Sequence, residues 1–286
     1  MLIDLQLHSV NSDGYLTPTE LAAHCQKRGI RVASLTDHNT VSGLEEFRRA
    51  CQQYRIKAVP AMELYVKLGS RHMNMLWYNF DVNDPGLHKL LRETQIRRRA
   101  LVRRALERLV KKNYVLDING ILEGHSHYLP INRIVDSFYA LNKKRVQREL
   151  GKKNILETEI IRAYFRDKNK TRLHESYLDM ARVARLKKQV GGQLILAHPC
   201  KFRWVSEATV GKLTQVGLDG LEVLTPHHSW EAVSYLQALA DRHKLIMTGG
   251  TDFHRFEEAL WYDIKSSWSY FHIESTLLAG IAKIIG

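Results

Sequence analysis

Apolar residues follow two different periods along this chain. In the first third, short apolar runs typical of strands occur at Leu2–Leu7, Val32–Leu35, Ala58–Leu64 and Met73–Phe80. Between these runs, apolar residues recur at the helical spacing of three and four positions, as at Thr19–Arg28 and Ser42–Gln53. An alternation of strands and helices predicts an α/β fold with a parallel sheet.

The same alternation resumes in the last third of the chain. The predicted elements there are a strand Gln193–Ala197, a helix Glu207–Val216, a strand Gly220–Leu224, a helix Trp230–His243 and a strand Leu245–Gly249. Residues 87–190 show only helical spacing, beginning with an apolar stripe that includes Leu87, Leu90 and Leu91. We therefore expect one α/β domain, formed by residues 1–86 and 191–286, with an all-helical subdomain inserted at residues 87–190.

Polar residues with metal-binding side chains close many of the predicted strands. They occur in the segments Asp4-Leu5-Gln6-Leu7-His8, Ser12-Asp13-Gly14, Thr36-Asp37-His38-Asn39, Met62-Glu63, Ala197-His198-Pro199, Gly220-Leu221-Glu222-Val223 and Gly250-Thr251-Asp252-Phe253-His254. Side chains two positions apart on a strand point to the same face, and α/β folds place their sites at the carboxyl ends of strands. An isolated histidine at a strand end is usually structural, but this convergence favours a metal cluster.

Composition places the chain among ordinary globular proteins. Of its 286 residues, 44% are hydrophobic and 26% are charged. Its three cysteines, Cys25, Cys51 and Cys200, have no C-x-x-C spacing, which argues against both a disulfide framework and a thiolate zinc site. No apolar run approaches the ~18–20 residues of a membrane span, and the N-terminus lacks the apolar core of a signal peptide. We expect a cytoplasmic protein with no membrane segment.

Positive charge is concentrated in the helical segment. Residues 87–190 contain 26 of the 43 Lys and Arg residues but only 11 of the 30 Asp and Glu residues, so they account for the whole net charge of +13. Basic runs occur at Arg97-Arg98-Arg99, Arg103-Arg104, Lys111-Lys112, Lys143-Lys144-Arg145 and Lys152-Lys153. Two interpretations stay open: a solvated helical face, or a surface that attracts anionic substrates towards a metal cleft.

The ordered set of strand-end motifs resembles the PHP (polymerase and histidinol phosphatase) superfamily, in particular its branch of nucleotide phosphatases and RNA-processing exonucleases with a helical insertion. The resemblance covers nearly the whole chain. It implies a distorted, TIM-like (β/α)7 barrel with a cleft for up to three divalent cations at the strand ends. It also implies a metal-dependent phosphoric ester hydrolase, either a phosphatase or an exonuclease.

The resemblance divides the ligands among three sites. The first would use Gln6, His8, Glu63 and Asp252, the second Glu63, Asn74 and His198, and the third Asp13, His38 and His254. Gln6 and Asn74 stand where the family has histidine, and neutral amides are weak ligands, so only the third set is complete and activity is expected to be weak or altered. We expect one to three ions of Mn, Fe or Zn per chain, with Mg²⁺ also compatible with oxygen ligands.

The predicted reaction is hydrolysis of a phosphate ester. Clustered cations neutralise phosphate oxygens and activate water, and Glu63, His198 and Asp252 are the predicted catalytic residues. Where relatives carry an Arg-x-His that reaches the substrate, this chain departs from the pattern and has Ile131-Asn132-Arg133. Arg133 and His228, just past a strand end, are the predicted substrate contacts. The substrate would be a nucleotide, another phosphorylated small molecule, or a short RNA or DNA end held by the basic insertion. The sequence leaves the oligomeric state open.

The sequence also suggests roles for two further acidic residues and an aromatic segment, and it leaves an alternative function open. Asp4 and Asp37 are expected to accept hydrogen bonds from ligand histidines. The aromatic residues Trp261, Trp268, Tyr270 and Phe271 could stack nucleobases or pack against the barrel. The alternative function is a nucleic-acid-binding or regulatory module on a catalytically degraded PHP scaffold. Metal stoichiometry separates this module from the enzyme.

Overall fold

A computed structural model describes residues 1–125, 127–256 and 271–286. These residues form two compact units. Unit 1 comprises Met1–Lys89 and Tyr177–Gly286, and unit 2 comprises Leu90–Ser176. The aromatic residues Trp261, Trp268 and Tyr270 of the sequence analysis lie outside the described residues.

Unit 1 has a mixed α/β architecture. Its strands are β1 (Leu2–Leu7), β2 (Val32–Leu35), β3 (Lys57–Ala58), β4 (Ala61–Leu68), β5 (Arg71–Tyr78), β6 (Leu178–Asp179), β7 (Gln193–Leu196), β8 (Gly220–Leu224), β9 (Ile246–Gly249) and β10 (Ile273–Glu274). Its helices are α1 (Pro18–Lys27), α2 (Leu44–Gln53), α7 (Met180–Val190), α8 (Glu207–Gln215), α9 (Trp230–His243) and α10 (Ala282–Ile285). Helix α3 (Pro85–Val110) begins in unit 1 and continues into unit 2. The strands form two sheets, in the orders β10-β1-β2-β3 and β6-β4-β5-β7-β8-β9.

The expected parallel pairing is confirmed for β1–β2, β2–β3, β7–β8 and β8–β9, but β5 is antiparallel to both β4 and β7. Only Gly69 and Ser70 connect β4 to β5. So short a link closes a hairpin, because a parallel crossover needs about a dozen residues or more. Gly69 has a φ of 59°, a left-handed conformation that glycine adopts without strain.

Two isolated parallel bridges hold neighbouring chain segments side by side at the predicted ligands. His38, just after β2, pairs with Glu63 on β4. Glu63 is the third residue of β4, whereas the sequence pattern placed it at a strand end. Leu7, at the end of β1, pairs with Phe253, which follows β9. The bridges therefore bring Glu63 close to the strand ends that carry the other predicted ligands.

Helices α1 and α2 cover the sheet that contains β1 and β2. Helix α1 begins with a capping box: the Thr17 hydroxyl accepts a hydrogen bond from the Glu20 amide, and the Glu20 carboxylate accepts one from the Thr17 amide. Pro18 occupies the first helical turn, as the sequence predicts. The core beneath these helices includes Leu7, Leu21, Cys25, Leu35, Phe47, Cys51 and Phe253. All three cysteines of the chain are free and buried.

Unit 2 is built from helices in its described part. It contains the remainder of α3, α4 (Ile118–Glu123), α5 (Ile131–Leu150), α6 (Glu157–Ile160) and a π-helical turn (Ile161–Arg166). Its own apolar core includes Val102, Leu106, Leu109, Ile134, Phe138, Tyr164, Phe165 and Leu173. In α3, the residues Val102, Leu106 and Leu109 therefore pack within the core of unit 2, whereas Leu87, at the start of the predicted apolar stripe, lies in unit 1.

The basic run at Arg97–Arg99 is structural in part, so for Arg98 neither the solvated face nor the anion-attracting surface of the sequence analysis applies. Arg98 is fully buried. It donates to the carbonyls of Leu129 (3.0 Å) and His174 (2.8 Å), and Nη1 lies 3.0 Å from the Glu175 carboxylate. The sequence could not reveal this, because a buried arginine with acceptors distant in sequence looks the same as a solvated one.

Residues 177–190, which the hydrophobic pattern grouped with the helical segment, are part of unit 1. β6 pairs with Val66 and Lys67 of β4, and α7 leads directly into β7. Helical spacing alone does not show which unit a helix packs against. None of the helices formed by the described residues is long and apolar enough to cross a membrane.

Candidate metal centre

His8, at the end of β1, lies among three carboxylates. Its Nε2 atom is 3.1 Å from Glu63 Oε2 and 3.2 Å from Asp252 Oδ1, and its Nδ1 atom is 3.5 Å from Asp13 Oδ1. The ring is completely buried. His8 therefore stands between two groups of predicted ligands.

The first group joins Asp13 to three histidines. Asp13 Oδ1 is 3.3 Å from His254 Nε2, and Asp13 Oδ2 is 3.4 Å from His38 Nε2. The ligand atoms offered by Asp13, His38, His254 and His8 all lie within 4.8 Å of one another. This group contains the complete third set of the sequence analysis.

The second group consists of His8, Glu63 and Asp252. Glu63 extends it, because its Oε1 atom is 3.1 Å from His198 Nε2 and its Oε2 atom accepts a hydrogen bond from Gln6 Nε2 at 3.3 Å. Glu63 thus touches histidines from two different strand ends, the arrangement expected of a carboxylate shared between neighbouring cations.

The loop that carries Asp13 is shaped by the Ser12-Asp13-Gly14 motif. A Cβ atom on Gly14 would lie 2.0 Å from the carbonyl oxygen of His8, so only glycine fits this approach. Asp37 ties the same loop to the end of β2: its carboxylate accepts from the Ser9 amide (2.8 Å), the Ser9 hydroxyl (2.6 Å) and the Ser12 hydroxyl (2.6 Å). Asp37 therefore positions the loop and not a histidine ring, which corrects the expectation from sequence.

Asp4 likewise positions the segment that follows β9. Its carboxylate accepts hydrogen bonds from the Thr251 amide (2.9 Å) and hydroxyl (2.7 Å), where the sequence predicted a histidine donor. Burial raises the pKa of Asp4 to about 6. A Cβ atom on Gly250 would lie 2.5 Å from Gln6, so the Gly250-Thr251-Asp252 segment packs directly on β1. These contacts fix Asp252 opposite His8.

Two candidate ligands have strained backbones. His198 has a φ of 29° and Asp252 a φ of 52°, in the left-handed region that non-glycine residues seldom adopt. The backbone N–H of His198 donates to Glu222 Oε2 at 2.7 Å, which holds the strained turn in place. Such conformations persist where surrounding contacts impose them, and they are concentrated at functional sites.

The pKa values of the acidic and basic groups in this centre depend strongly on one another. Burial alone would raise the pKa values of Asp13, Glu63 and Asp252, but neighbouring histidines and Lys201 hold all three pKa values well below their ordinary range. Burial would likewise lower the pKa of His8, yet the carboxylates of Asp252 and Glu63 raise it well above its usual value. Ligating histidines bind metal in the deprotonated form, so a cation would compete with these protons.

The residues fit a divalent cation. Among the described residues, both ring nitrogens of His8 are buried without a well-aligned hydrogen bond, although three carboxylates lie within 3.5 Å. Gln6 Oε1 is also buried, with no hydrogen-bond partner in the part of the chain that the structure describes. Imidazoles and carboxylates together suit Zn, Mn or Fe. A cation between these side chains would satisfy atoms that the protein alone leaves unsatisfied.

Sequence reasoning missed two polar residues of the centre as functional candidates. Lys201 Nζ donates to Asp252 Oδ2 at 2.7 Å, and His227 Nε2 lies 2.7 Å from the same oxygen. Glu222, one of the strand-end candidates of the sequence, is buried, and burial raises its pKa well above the usual value. The position of Lys201 three residues after His198, in a loop that follows a strand, was the one available signal.

The remaining predicted residues have different surroundings. The side chain of Asn74, on β5, lines a cleft next to His198. His228 is occupied by backbone groups: its Nδ1 atom lies 2.9 Å from the Val223 carbonyl and its Nε2 atom accepts from the Cys200 amide at 3.2 Å. Arg133 belongs to α5 in unit 2. The structure thus brings seven predicted ligands together, His8, Asp13, His38, Glu63, His198, Asp252 and His254.

Fold and centre together define a class: an α/β protein with buried histidines and carboxylates gathered where its strands end. Residues 4–167 match the PHP domain, and the chain belongs to that family. The resemblance inferred from the sequence motifs is thereby confirmed.

Three characterised relatives are similar over most of their length. The phosphoribosyl 1,2-cyclic phosphate 1,2-diphosphodiesterase of Eggerthella lenta is 26% identical over 89% of this chain and 94% of its own. The 3′,5′-nucleoside bisphosphate phosphatase of Chromobacterium violaceum is 25% identical over 88% and 87%. The 5′-3′ exoribonuclease of Haemophilus influenzae is 26% identical over 88% and 89%. All three names describe cleavage of phosphate esters.

Two solved structures share the fold. A protein from Bifidobacterium adolescentis superposes with a TM-score of 0.77 at 24% identity, covering 88% of this chain and 87% of that one. An amidohydrolase from Chromobacterium violaceum, with bound sulfate and no metal, gives a TM-score of 0.73 at 24% identity over the same shares.

Proposed function

We propose that this protein is a divalent-metal-dependent phosphoesterase that hydrolyses a phosphate ester of a nucleotide or of a short RNA or DNA end. The observation that carries the proposal is the pair of converging ligand groups that share His8. The relatives support it, because their names describe nucleotide and RNA phosphoesters as substrates.

The proposed fold of unit 1 is a distorted (β/α)7 barrel of the TIM-like PHP type. Its seven staves would be β1, β2, β4, β5, β7, β8 and β9. The bridges His38–Glu63 and Leu7–Phe253, which join the two sheets at the strand ends, support this closure. We propose in addition that the helical insertion, predicted at residues 87–190, is the basic substrate-capturing part of the chain.

The candidate ligands would hold cations in two groups. His8, Asp13, His38 and His254 would hold one cation, and His8, Glu63 and Asp252, with His198, would hold the others. Bound divalent cations supply Lewis-acid activation of the phosphate and of water. Asp37 and Asp4 keep the ligand loops rigid, since they bind Ser9, Ser12 and Thr251. Glu63 and Asp252 hold negative charge where cations and the phosphate must meet.

The decisive experiment is an assay of the purified protein with nucleotides, nucleoside bisphosphates and 5′-phosphorylated oligonucleotides. Mn²⁺, Mg²⁺, Fe²⁺ and Zn²⁺ are each supplied after chelation, and phosphate or nucleotide release is measured. We expect hydrolysis that needs a divalent ion and that Asp252→Asn abolishes. Equal rates with and without EDTA, or an unaffected Asp252→Asn variant, would contradict the proposal.

One observation favours the second candidate, a nucleic-acid-binding or regulatory module with a vestigial cleft. Two family histidines are replaced by Gln6 and Asn74, and one oxygen of Asp252 is already bound by Lys201 and His227. These features reduce the ligands available for cations. Two or three ions held per chain after dialysis support the enzyme, whereas none or one, without hydrolysis of any substrate, supports the module.

A further inference from the structure

A cleft of about 670 Å³ in unit 1 lies beside the candidate metal centre, and of its lining residues only His198 has a part in the proposed chemistry. Residues 70–74, at the start of β5, form one wall, and residues 196–205, at the end of β7 and in the loop that follows, form the other. Its volume lies in the range of small-molecule sites, about 300–1,000 Å³. His198 belongs both to this lining and to the centre, where its Nε2 atom is 3.1 Å from Glu63.

The loop wall is anchored to the centre. The side chain of Lys201 donates to Asp252, and its amide donates to the His198 carbonyl at 3.0 Å. At the far end of the loop, the Tyr235 hydroxyl of α9 donates to the Val205 carbonyl at 2.8 Å. Phe202, which follows Lys201 directly, is therefore held next to the acidic cluster.

Two large aromatic side chains of this loop are open to solvent. Phe202 is 92% exposed and Trp204 is 50% exposed. Trp204 packs on the Tyr235 ring at a centroid distance of 5.1 Å, so one side of the indole is supported. Exposing two neighbouring aromatic rings at the mouth of a cleft is unfavourable in water, and such apolar surface commonly marks a binding site.

The opposite wall is also aromatic. His72 and Tyr177 both line the cleft, and their rings stack with centroids 3.9 Å apart and an interplanar angle of 8°. Tyr177 meets Tyr65 edge-on, and Tyr65 stacks on the candidate ligand His38 at 4.4 Å. An unbroken series of rings thus leads from the metal centre to this wall.

Hydrogen-bonding and cationic groups accompany the rings. The guanidinium groups of Arg71 and Arg203 form no ion pair with any residue that the structure describes. The side-chain amide of Asn74 likewise makes no hydrogen bond within the described part of the chain. An amide can pair with the edge of a base, and arginine binds phosphate or stacks on a base.

We propose that this cleft binds a nucleobase by stacking on Phe202 and Trp204. This inference rests on the proposed function only for the position of the phosphate, at the metal centre. The contact with the base is inferred from the residues of the cleft alone. A sugar phosphate lacks a flat apolar ring to match these surfaces, so the substrate class selected is a nucleotide, free or at the end of an oligonucleotide.

The test compares AMP with ribose 5-phosphate by isothermal titration calorimetry in EDTA, where a metal-dependent hydrolysis stops. The wild type should bind AMP more tightly. Phe202→Ala and Trp204→Ala should each weaken AMP binding by about 5- to 150-fold, the effect of removing one stacked ring, and leave ribose 5-phosphate unchanged. Phe202→Tyr and Trp204→Phe, which keep a ring, should retain affinity.

Trp230→Ala is the matched control, because Trp230 is 80% exposed at the start of α9 and does not line the cleft. Equal affinity for AMP and ribose 5-phosphate in the wild type, or equal losses for both ligands in the alanine variants, overturns the base-binding inference. Failure of the phosphoesterase assay does not affect this readout, since binding is measured without turnover.

Discussion

His8 is the residue on which the two ligand groups converge. It contacts Asp13 on one side and Glu63 and Asp252 on the other, with no exposed surface. A single imidazole cannot satisfy three carboxylates through two nitrogens. Cations placed between these groups would resolve that imbalance.

The group of Asp13, His38 and His254 should hold a cation even if the others hold none, because all three ligands are present. Asp13→Asn and His254→Ala should therefore each lower metal affinity by about 10- to 100-fold or more. Metal content after dialysis is measured by plasma mass spectrometry and affinity by calorimetry. His88→Ala, at an exposed histidine on α3, is the control. Unchanged metal content in both variants would rule out this site.

Lys201 should limit cation binding at Asp252. Its ammonium group binds Asp252 Oδ2 and brings a fixed positive charge into the carboxylate cluster. Lys201→Met removes the charge and frees the oxygen, so we expect Mn²⁺ affinity or stoichiometry to rise, whereas Lys201→Arg should behave like the wild type. Calorimetric titration with Mn²⁺ measures both quantities. A fall in Mn²⁺ affinity on Lys201→Met would show instead that the lysine supports the centre.

At the scale of elements, buried Arg98 should be essential to the packing of unit 2. Its guanidinium binds two carbonyls and the buried Glu175, whose carboxylate also accepts from the Tyr128 hydroxyl. Arg98→Ala removes the closest cation from the buried Glu175 carboxylate and leaves only Arg166, at 3.8 Å, to balance its charge, which costs about 3–5 kcal/mol of unfolding free energy. Chemical denaturation measures this loss. Exposed Arg104→Ala on the same helix should change stability little, and similar losses for both variants would refute the structural role.

Much of the site could be predicted from the sequence because most of its ligands come directly after strands, although Glu63 lies within β4. The period-two pattern of β1 and the turns after β2, β7 and β9 placed His8, His38, His198 and Asp252 at one edge without any structural information. Lys201 and His227 could not be found in this way, because they come from irregular loops whose paths depend on contacts distant in sequence. The antiparallel direction of β5 was missed because the predicted strands ended at Leu64 and began again at Met73. In the structure β4 ends at Leu68 and β5 begins at Arg71, so the wider predicted gap hid the two-residue hairpin.

Over the whole molecule, charge divides between the two units. Residues 90–176 carry 21 Lys and Arg against 10 Asp and Glu, whereas the remaining residues carry 22 against 20. Some of the basic side chains in unit 2 already form ion pairs within the unit: Arg98 pairs with Glu175 and Arg145 pairs with Glu149. Others, including Arg104, Lys143 and Lys144, are exposed. The exposed set is the appropriate target for testing whether the charge captures polyanions.

Reversing Arg104, Lys143 and Lys144 to glutamate should weaken oligonucleotide binding strongly without unfolding unit 2, because these side chains lie outside its core. Each phosphate contacted by a basic residue releases about one counterion, so wild-type affinity should fall steeply with salt and the variant should have a shallower slope. Fluorescence anisotropy with a labelled 5′-phosphorylated oligonucleotide measures both, and mononucleotide hydrolysis should barely change. The control reverses the same number of charges on exposed residues of unit 1, Lys27, Arg31 and Arg55. Equal affinities and slopes for the two triple variants would identify the basic surface of unit 2 as ordinary solvated surface and favour a small phosphorylated substrate.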